Sequence, residues 1–184
     1  MRLRRSVVIA VGLLSFLLSG CSAVPADPHA VLETKAASVD AAAQDLLAAL
    51  DAAGLTDASA GSAVDVCQSE PLPGVSYRAG ISVKVGEDLV AGFDSLVKQL
   101  TASGWEETDA YRDVELDPGK PAGRYERDDI TVDVKTGGFT VGKTHYGADE
   151  MTLGITIDKP CVRIPHGASF IDFQDLEKDI LPRS

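Results

Sequence analysis

The spacing of apolar residues divides the chain into helical and extended segments. After Asp27 the apolar residues recur at intervals of four and three, which places them on one stripe of an α-helix. Pro28 suits the first helical position, and Gly54 suits the position that ends a helix. We therefore predict a long helix that packs on the domain's own sheet through a stripe of Leu32, Ala36, Val39, Ala43, Leu46 and Leu50.

The segments that follow show the two-residue period of β-strands and one further helical stretch. We expect a loop over 55–62 and a short strand over 63–68. Strict alternation from Val75 to Val85 gives the clearest strand in the sequence. Helical spacing then runs from Glu87 to Ser103, and Trp105 opens the next strand. This stretch predicts a β-helix-β unit.

The second half of the chain consists of short alternating runs separated by turn residues. A loop is expected over 113–121, followed by strands at 122–127, 129–135, 139–146 and 151–157. Turns this short join antiparallel neighbours, so these strands form a meander. Because helices and strands do not alternate regularly, the predicted fold class is α+β. It comprises an antiparallel sheet with the long N-terminal helix and the second helix on one face.

The C-terminal segment carries a helix start signal. Ser169 and Asp172 have the spacing of a capping box and precede Phe173, Leu176 and Ile180. We expect a short helix that Pro182 ends and that packs on the core. A terminal amphipathic helix can also serve as a handle for a partner, which is the alternative interpretation.

The first 21 residues have the three parts of a bacterial signal peptide. A basic start (Arg2-Leu3-Arg4-Arg5) precedes an apolar run too short to span a bilayer comfortably. Leu18-Ser19-Gly20-Cys21 resembles the lipobox, whose cysteine is lipidated before cleavage on its amino side. We expect a signal peptide over 1–20, lipidated Cys21 with a linker over 21–27, and one extracytoplasmic domain over 28–184. The alternative is an ordinary secretion signal with an incidental cysteine.

Charge narrows the range of partners. The chain has 17 basic and 28 acidic residues, a net charge of −11. Cleavage before Cys21 removes Arg2, Arg4 and Arg5 and no acid, which leaves 14 basic residues and a net charge of −14. Such a surface repels the phosphate backbones of nucleic acids and anionic lipid headgroups. We therefore expect no nucleic-acid partner, and we expect the membrane to be contacted through the acyl chains on Cys21 without a second, electrostatic contact.

Cys67 and Cys161 remain in the mature chain. An even pair of cysteines outside the cytosol normally forms a disulfide, so we predict a bridge between them. The chain lacks the C-x-x-C and H-x-x-x-H spacings of zinc sites.

Two segments match the residue pattern of a known binding motif but lack the structural context that the motif needs. Residues 137–144 fit the P-loop pattern, yet they alternate like a strand, and Gly147 follows too soon for the required helix. Residues 113–118 begin like a calcium loop, but Pro118 occupies the glycine position and Arg124 the glutamate position. The surrounding acids could gather weak divalent cations, although a solvated acidic face is the simpler interpretation. We predict no cofactor and no metal site.

No catalytic residue is predicted. Ser169 lies near His166 but has no third group that the sequence can supply. The leading hypothesis is a non-enzymatic module that binds a protein or another component of the cell envelope. The alternative is a small-molecule or lipid carrier with an apolar cavity between helices and sheet. An enzyme would need titratable groups to converge in a cleft, and the candidates are Glu126, Asp128, Asp133, His145 and His166.

The order of elements resembles the small actinobacterial cell-envelope lipoproteins of the mycobacterial LppA-like group. The likeness rests on lipidated Cys21, a long helix, Cys67 ending a strand, the β-helix-β unit, the meander, and Cys161 just after the last strand. It implies a cell-envelope location and a paired Cys67–Cys161, and it carries no catalytic residue across. The segment after Cys161 departs from what the resemblance implies.

Overall fold

The computed structural model describes residues 24–111, 119–138, 140–141, 144–145 and 147–181. The predicted signal peptide, Cys21 and Pro182 lie outside these residues. Within them are two α-helices, α1 (Pro28–Ala52) and α2 (Leu89–Ala102), and two 3-10 helices at Asp109–Tyr111 and Phe170–Leu176. The strands are β1 (Ala58–Gln68), β2 (Gly74–Lys84), β3 (Glu106–Glu107), β4 (Ala122–Arg127), β5 (Ile130–Thr136), β6 (Thr140–Val141), β7 (Thr144–His145), β8 (Glu150–Ile157), β9 (Val162–Arg163) and β10 (Asp179–Leu181).

Eight of these strands form one antiparallel sheet. Its order is β10-β1-β2-β8-β5-β4-β3, and β9 pairs with the start of β2. β1 and β2 form a hairpin, while β4, β5 and β8 form the meander. β3 follows α2 and pairs with β4 at the sheet edge. The fold class is therefore α+β, as predicted.

The core lies between one face of this sheet and the two helices. All six predicted stripe residues of α1 are at most 2% exposed. They pack mainly over β2 and β8, and α2 packs beside α1. The inward side chains of the central strands are equally enclosed. These inward side chains belong to Val75, Tyr77, Ile81, Val83, Met151, Leu153, Ile155, Val132 and Val134.

Side-chain caps set the starts of both helices. Asp27 Oδ1 accepts a hydrogen bond from the Ala30 amide at 3.0 Å, one position before Pro28. Asp88 Oδ1 accepts from the Ala91 amide at 2.9 Å, so α2 begins at Leu89 rather than Glu87. A capping carboxylate satisfies amides that have no partner inside the helix.

The predicted loop over 55–62 is wrong for its last five residues. β1 begins at Ala58, and Ala58–Ser62 pair with Val83–Ala79 of β2. These are alanine, serine and glycine residues, which have little strand preference of their own. Pairing with the strongly alternating β2 makes the segment a strand.

The predicted strand over 139–146 is also wrong. β6 and β7 are two-residue strands that pair with each other, outside the main sheet. β5 therefore lies directly beside β8. The turn signal at Gly137 is correct, because its φ is +82°, a value that favours glycine.

The C-terminal segment is a 3-10 helix and a strand rather than an α-helix ended by Pro182. The predicted capping box is present: Ser169 Oγ accepts from the Ile171 amide, and Asp172 Oδ2 accepts from the Ser169 amide at 2.8 Å. The helix ends at Leu176, and Ile180 lies in β10, which pairs with the edge of β1. Sequence spacing does not reveal this edge pairing.

A disulfide joins Cys67 and Cys161, as expected, with a Cα–Cα distance of 5.7 Å. It connects the end of β1 to the residue before β9. The bridge therefore ties the first hairpin to the end of the meander at one end of the sheet. We call this the disulfide end of the domain.

Reduction of this bridge is expected to lower the free energy of unfolding by about 4–5 kcal/mol, because the two cysteines are 94 positions apart and their link restricts the unfolded chain. Urea unfolding with and without a reductant measures the change. A Cys67→Ala/Cys161→Ala variant is the control, since the reductant should not alter its midpoint. Equal midpoints for oxidised and reduced wild type would contradict the prediction.

Candidate functional site

A pocket of about 290 Å³ opens at the disulfide end, beside the first turns of α1. Two cationic side chains, one amide and several apolar groups line it, so it could receive a small ligand that is both anionic and partly apolar. The lining residues are Pro25, Val31, Lys35, Gln68, Cys161, Val162 and Arg163. We call this the disulfide-end pocket.

The two cations of this pocket are not neutralised by ion pairs. Lys35 Nζ donates to the backbone carbonyl of Asp158 at 3.3 Å. Among the described residues, neither Lys35 nor Arg163 has a carboxylate within ion-pair distance. The Asp158 carboxylate is instead close to Lys159, at 3.6 Å. Because α1 starts here, the positive end of its dipole adds to the local potential.

The first turn of α1 also meets the C-terminal 3-10 helix. The His29 ring stacks on Phe173 with centroids 5.7 Å apart, and its Nε2 lies 3.0 Å from Asp175 Oδ2. The same 3-10 helix begins with Phe170 and Ile171, which are 36% and 61% exposed. Two large apolar side chains are thus exposed one turn from the contact with α1.

A polar network holds the segment between the 3-10 helix and β10. Tyr77 Oη donates to Asp40 Oδ1 at 2.7 Å, and Lys178 Nζ contacts Asp40 Oδ2 at 2.7 Å. Glu177 Oε1 accepts from the Val64 amide at 3.0 Å, which occupies a backbone donor of β1. The network joins α1, the sheet and the C-terminal segment, and its role is structural.

The side of the sheet away from the helices is polar and open to solvent. Gly61, Gly80 and Gly154 lie side by side across β1, β2 and β8. A side chain added at Gly80 or Gly154 would meet no atom within 4 Å. Glycine weakens a strand interior, and it often marks a place where another group approaches the backbone. We call this outer side of β1, β2, β8, β5 and β4 the open face.

The glycine row ends at a charged pair on the open face. Arg124 and Asp133 form two parallel hydrogen bonds of 2.8 and 2.9 Å, and Tyr111 Oη donates to Asp133 at 3.3 Å. The hydrogen bonds with Asp133 raise the pKa of the Arg124 guanidinium, which keeps its positive charge. Burial, followed by the nearby Asp133 charge, raises the pKa of Tyr111. Both oxygens of the Asp133 carboxylate therefore already accept hydrogen bonds from Arg124 or Tyr111, so this carboxylate is not placed to act as a base.

The residues considered for catalysis do not converge on the disulfide-end pocket. Glu126 and Asp133 lie on the open face, Asp128 lies in the β4–β5 turn, and exposed His166 follows β9. None of them lines that pocket, and His145 lies in β7, outside the main sheet. Thr144 lies in the same strand, so the P-loop helix does not form there. The calcium-like segment 113–118 lies outside the described residues.

The described residues contain neither a metal-binding cluster nor a membrane-spanning helix. No group of three or more histidine, cysteine or acidic side chains there could hold a metal ion. In that same part of the chain, no helix combines the length and apolar character needed to cross a bilayer.

An apolar cavity beneath α2 would leave the side chains around it partly accessible, but those side chains are fully enclosed. Leu96, Leu100, Met151 and Ile155 each have no accessible surface. A side chain that adjoins a water-sized space retains some accessible surface, so no such space touches these four residues. The apolar cavity that the carrier hypothesis places between α2 and the sheet is therefore absent at these positions.

Sequence reasoning missed the disulfide-end pocket entirely. Lys35 lies on the polar side of a regular helical pattern, and Arg163 follows Cys161 in a strand too short to detect. The only available signal was indirect, because a disulfide at Cys161 had to bring Arg163 close to the end of β1. Nothing in the sequence placed Lys35 beside it.

Comparison with known proteins identified no relative. No family model, no curated protein and no solved structure matches the chain significantly.

Two buried tyrosines are expected to make stability fall at alkaline pH. Burial raises the pKa of Tyr77, and it raises that of Tyr125 to about 12, against 10.0 for a free phenol. Their stabilising effect is complete below the pKa of the unfolded chain and is lost as pH rises through the folded-state values. For Tyr125 alone the loss is about 2 kcal/mol by pH 12.

A Tyr125→Phe variant tests this expectation, because it removes the titrating hydroxyl and keeps the ring. Urea unfolding measured from pH 8 to pH 12 should show a shallower decline for the variant than for wild type. Identical slopes for the two proteins would show that Tyr125 does not carry the effect. Below pH 9 the stability curves of wild type and variant should have the same shape, which serves as the internal control.

Proposed function

We propose that the protein is a lipoprotein anchored through Cys21 to the outer face of the cell membrane, where it acts as a non-enzymatic binding module for an extracytoplasmic protein. The observation that carries the binding role is the open face, a broad polar sheet surface with three glycines in register. The anchor is supported by the lipobox-like Leu18-Ser19-Gly20-Cys21.

The shape of the open face favours a macromolecule over a small ligand. Five strands spaced about 4.8 Å apart, with lengths of six to eleven residues, give a surface of roughly 600 Å². Stable protein interfaces bury about 800 Å² on each partner, so this face with its rim is of adequate size. Small molecules instead bind in concave pockets that enclose most of their surface.

The charges of the open face favour a partner without a strong net charge. Arg78 pairs with Asp65, and Arg124 pairs with Asp133. Paired charges on a rim contribute orientation and specificity more than affinity. The glycine row between them lets a partner approach the backbone closely, which supports the face as the contact surface.

The interior favours this function over a carrier, because the fully enclosed side chains beneath α2 leave no space for an apolar ligand there. A catalytic role finds no support in the disulfide-end pocket, which has two cations and no carboxylate or histidine in its lining. The order of elements, with Cys67 paired to Cys161, fits the resemblance to envelope lipoproteins of the LppA-like group.

A Cys21→Ala variant is expected to lose membrane attachment, because the two or three acyl chains on Cys21 supply the proposed anchoring energy. Fractionation of host cells followed by mass spectrometry of the intact protein measures both attachment and acyl mass. A Ser22→Ala variant is the neighbouring control and should stay with the membrane. Retention of the Cys21→Ala protein in the membrane fraction would refute lipidation as the anchor.

A Gly154→Tyr variant is expected to abolish partner capture without unfolding the domain. The new Cβ meets no atom within 4 Å, and tyrosine is a residue type that strands favour. Its ring blocks close approach to the glycine row. Crosslinking in intact cells followed by affinity capture compares it with wild type. Ser95→Tyr, at an exposed position of α2, is the matched control. If wild type and Gly154→Tyr recover the same proteins in equal amounts, the open face is not the binding surface.

A further inference from the structure

The disulfide-end pocket lies within a short reach of the proposed anchor. Pro25 lines the pocket and lies only four positions after Cys21. A fully extended chain spans at most about 3.6 Å per residue, so Pro25 lies no more than about 14 Å from the lipidated residue. This short reach allows the pocket to contact the lipid headgroups.

The chemistry of the pocket complements such a headgroup. Lys35 and Arg163 supply two cations that pair with no described carboxylate, in a domain with twice as many acids as bases. Val31 is 38% exposed beside them and can contact the glycerol and acyl carbons. Two acids of the neighbouring segments are engaged, since Asp27 caps α1 and Asp158 lies against Lys159. Arginine and lysine donors are the usual partners of phosphate oxygens.

Exposed apolar residues lie on the other side of the first turn of α1. Phe170 and Ile171 begin the 3-10 helix whose Phe173 stacks on His29. Proteins that bind at a membrane interface combine exposed apolar side chains with nearby cationic groups. Both features lie beside the first turns of α1. The net negative charge of the domain opposes such a contact. This charge is spread over the surface, whereas the two cations are concentrated at the proposed anchored end.

We propose that the disulfide-end pocket binds the phosphate of an anionic phospholipid in the membrane that carries the anchor, while Phe170 and Ile171 enter the interface. This inference rests on the proposed lipidation of Cys21. The contact fixes the domain upright on its tether, with the disulfide end toward the bilayer and the open face turned sideways.

The test uses the acylated protein purified from host membranes and placed in vesicles of phosphatidylcholine alone or with phosphatidylglycerol. Hydrogen exchange followed by mass spectrometry reports on peptides covering 24–35 and 161–171. Phosphatidylglycerol should slow exchange in both peptides. A Lys35→Gln/Arg163→Gln variant should lose this protection, by about fivefold for each cation removed. Lys98→Gln/Lys135→Gln, which removes two exposed cations elsewhere, should keep it.

Three results would overturn the inference. Equal exchange of wild type in the two kinds of vesicle would show that no lipid headgroup is bound. Equal losses in the two double variants would show attraction by overall charge alone. Full protection by inorganic phosphate without vesicles, with no further slowing on the bilayer, would indicate an adventitious ion only. A protein that lacks acyl mass and floats with neither vesicle would refute the anchor itself, which distinguishes that failure from a failure of docking.

Discussion

The packing of α1 against a single face of the sheet is the contact on which the rest of the structure depends. Leu32, Leu46 and Leu50 have no accessible surface, and burying each leucine contributes about 1.5–3 kcal/mol. α2 extends the same layer beside α1, while the opposite side of the central strands stays polar. The open face is thus a direct consequence of a two-layer architecture, and its alternating polar residues keep it soluble.

Because the two helices cover only one face of the sheet, other elements must protect its edges. At β1 the protection comes from β10, and from Glu177, whose carboxylate takes up the Val64 amide. Exposed backbone donors at an edge invite pairing with other chains, so this closure has a clear physical purpose. Lys178 and Asp40 hold the closing segment against α1. The C-terminal segment is therefore part of the fold rather than a free handle.

Sequence patterns predicted the elements that carry their own periodicity and missed those that depend on a partner strand. The stripe of α1 and the alternation of β2 were sufficient to give the fold class and the helix layer. The strand at Ala58–Ser62 and the edge strand β10 were missed, because short runs of small or mixed residues become strands only beside a long neighbour. The pocket was missed for a related reason, since Lys35 and Arg163 meet only through the fold.

If Cys21 carries the proposed anchor, the orientation of the domain would determine whether a partner can reach the open face. A short tether by itself lets a domain lie on a membrane in any orientation, and some orientations would cover the sheet. Lys35 and Arg163 line the same pocket as Pro25, and the exposed Phe170 and Ile171 begin the 3-10 helix that contacts the first turn of α1. On the proposed membrane contact, attraction at this end would select an upright orientation, because the net negative charge of the domain is repelled by anionic lipid. The net negative charge and the local cationic pocket would then act in the same direction, and together they would keep the glycine row accessible.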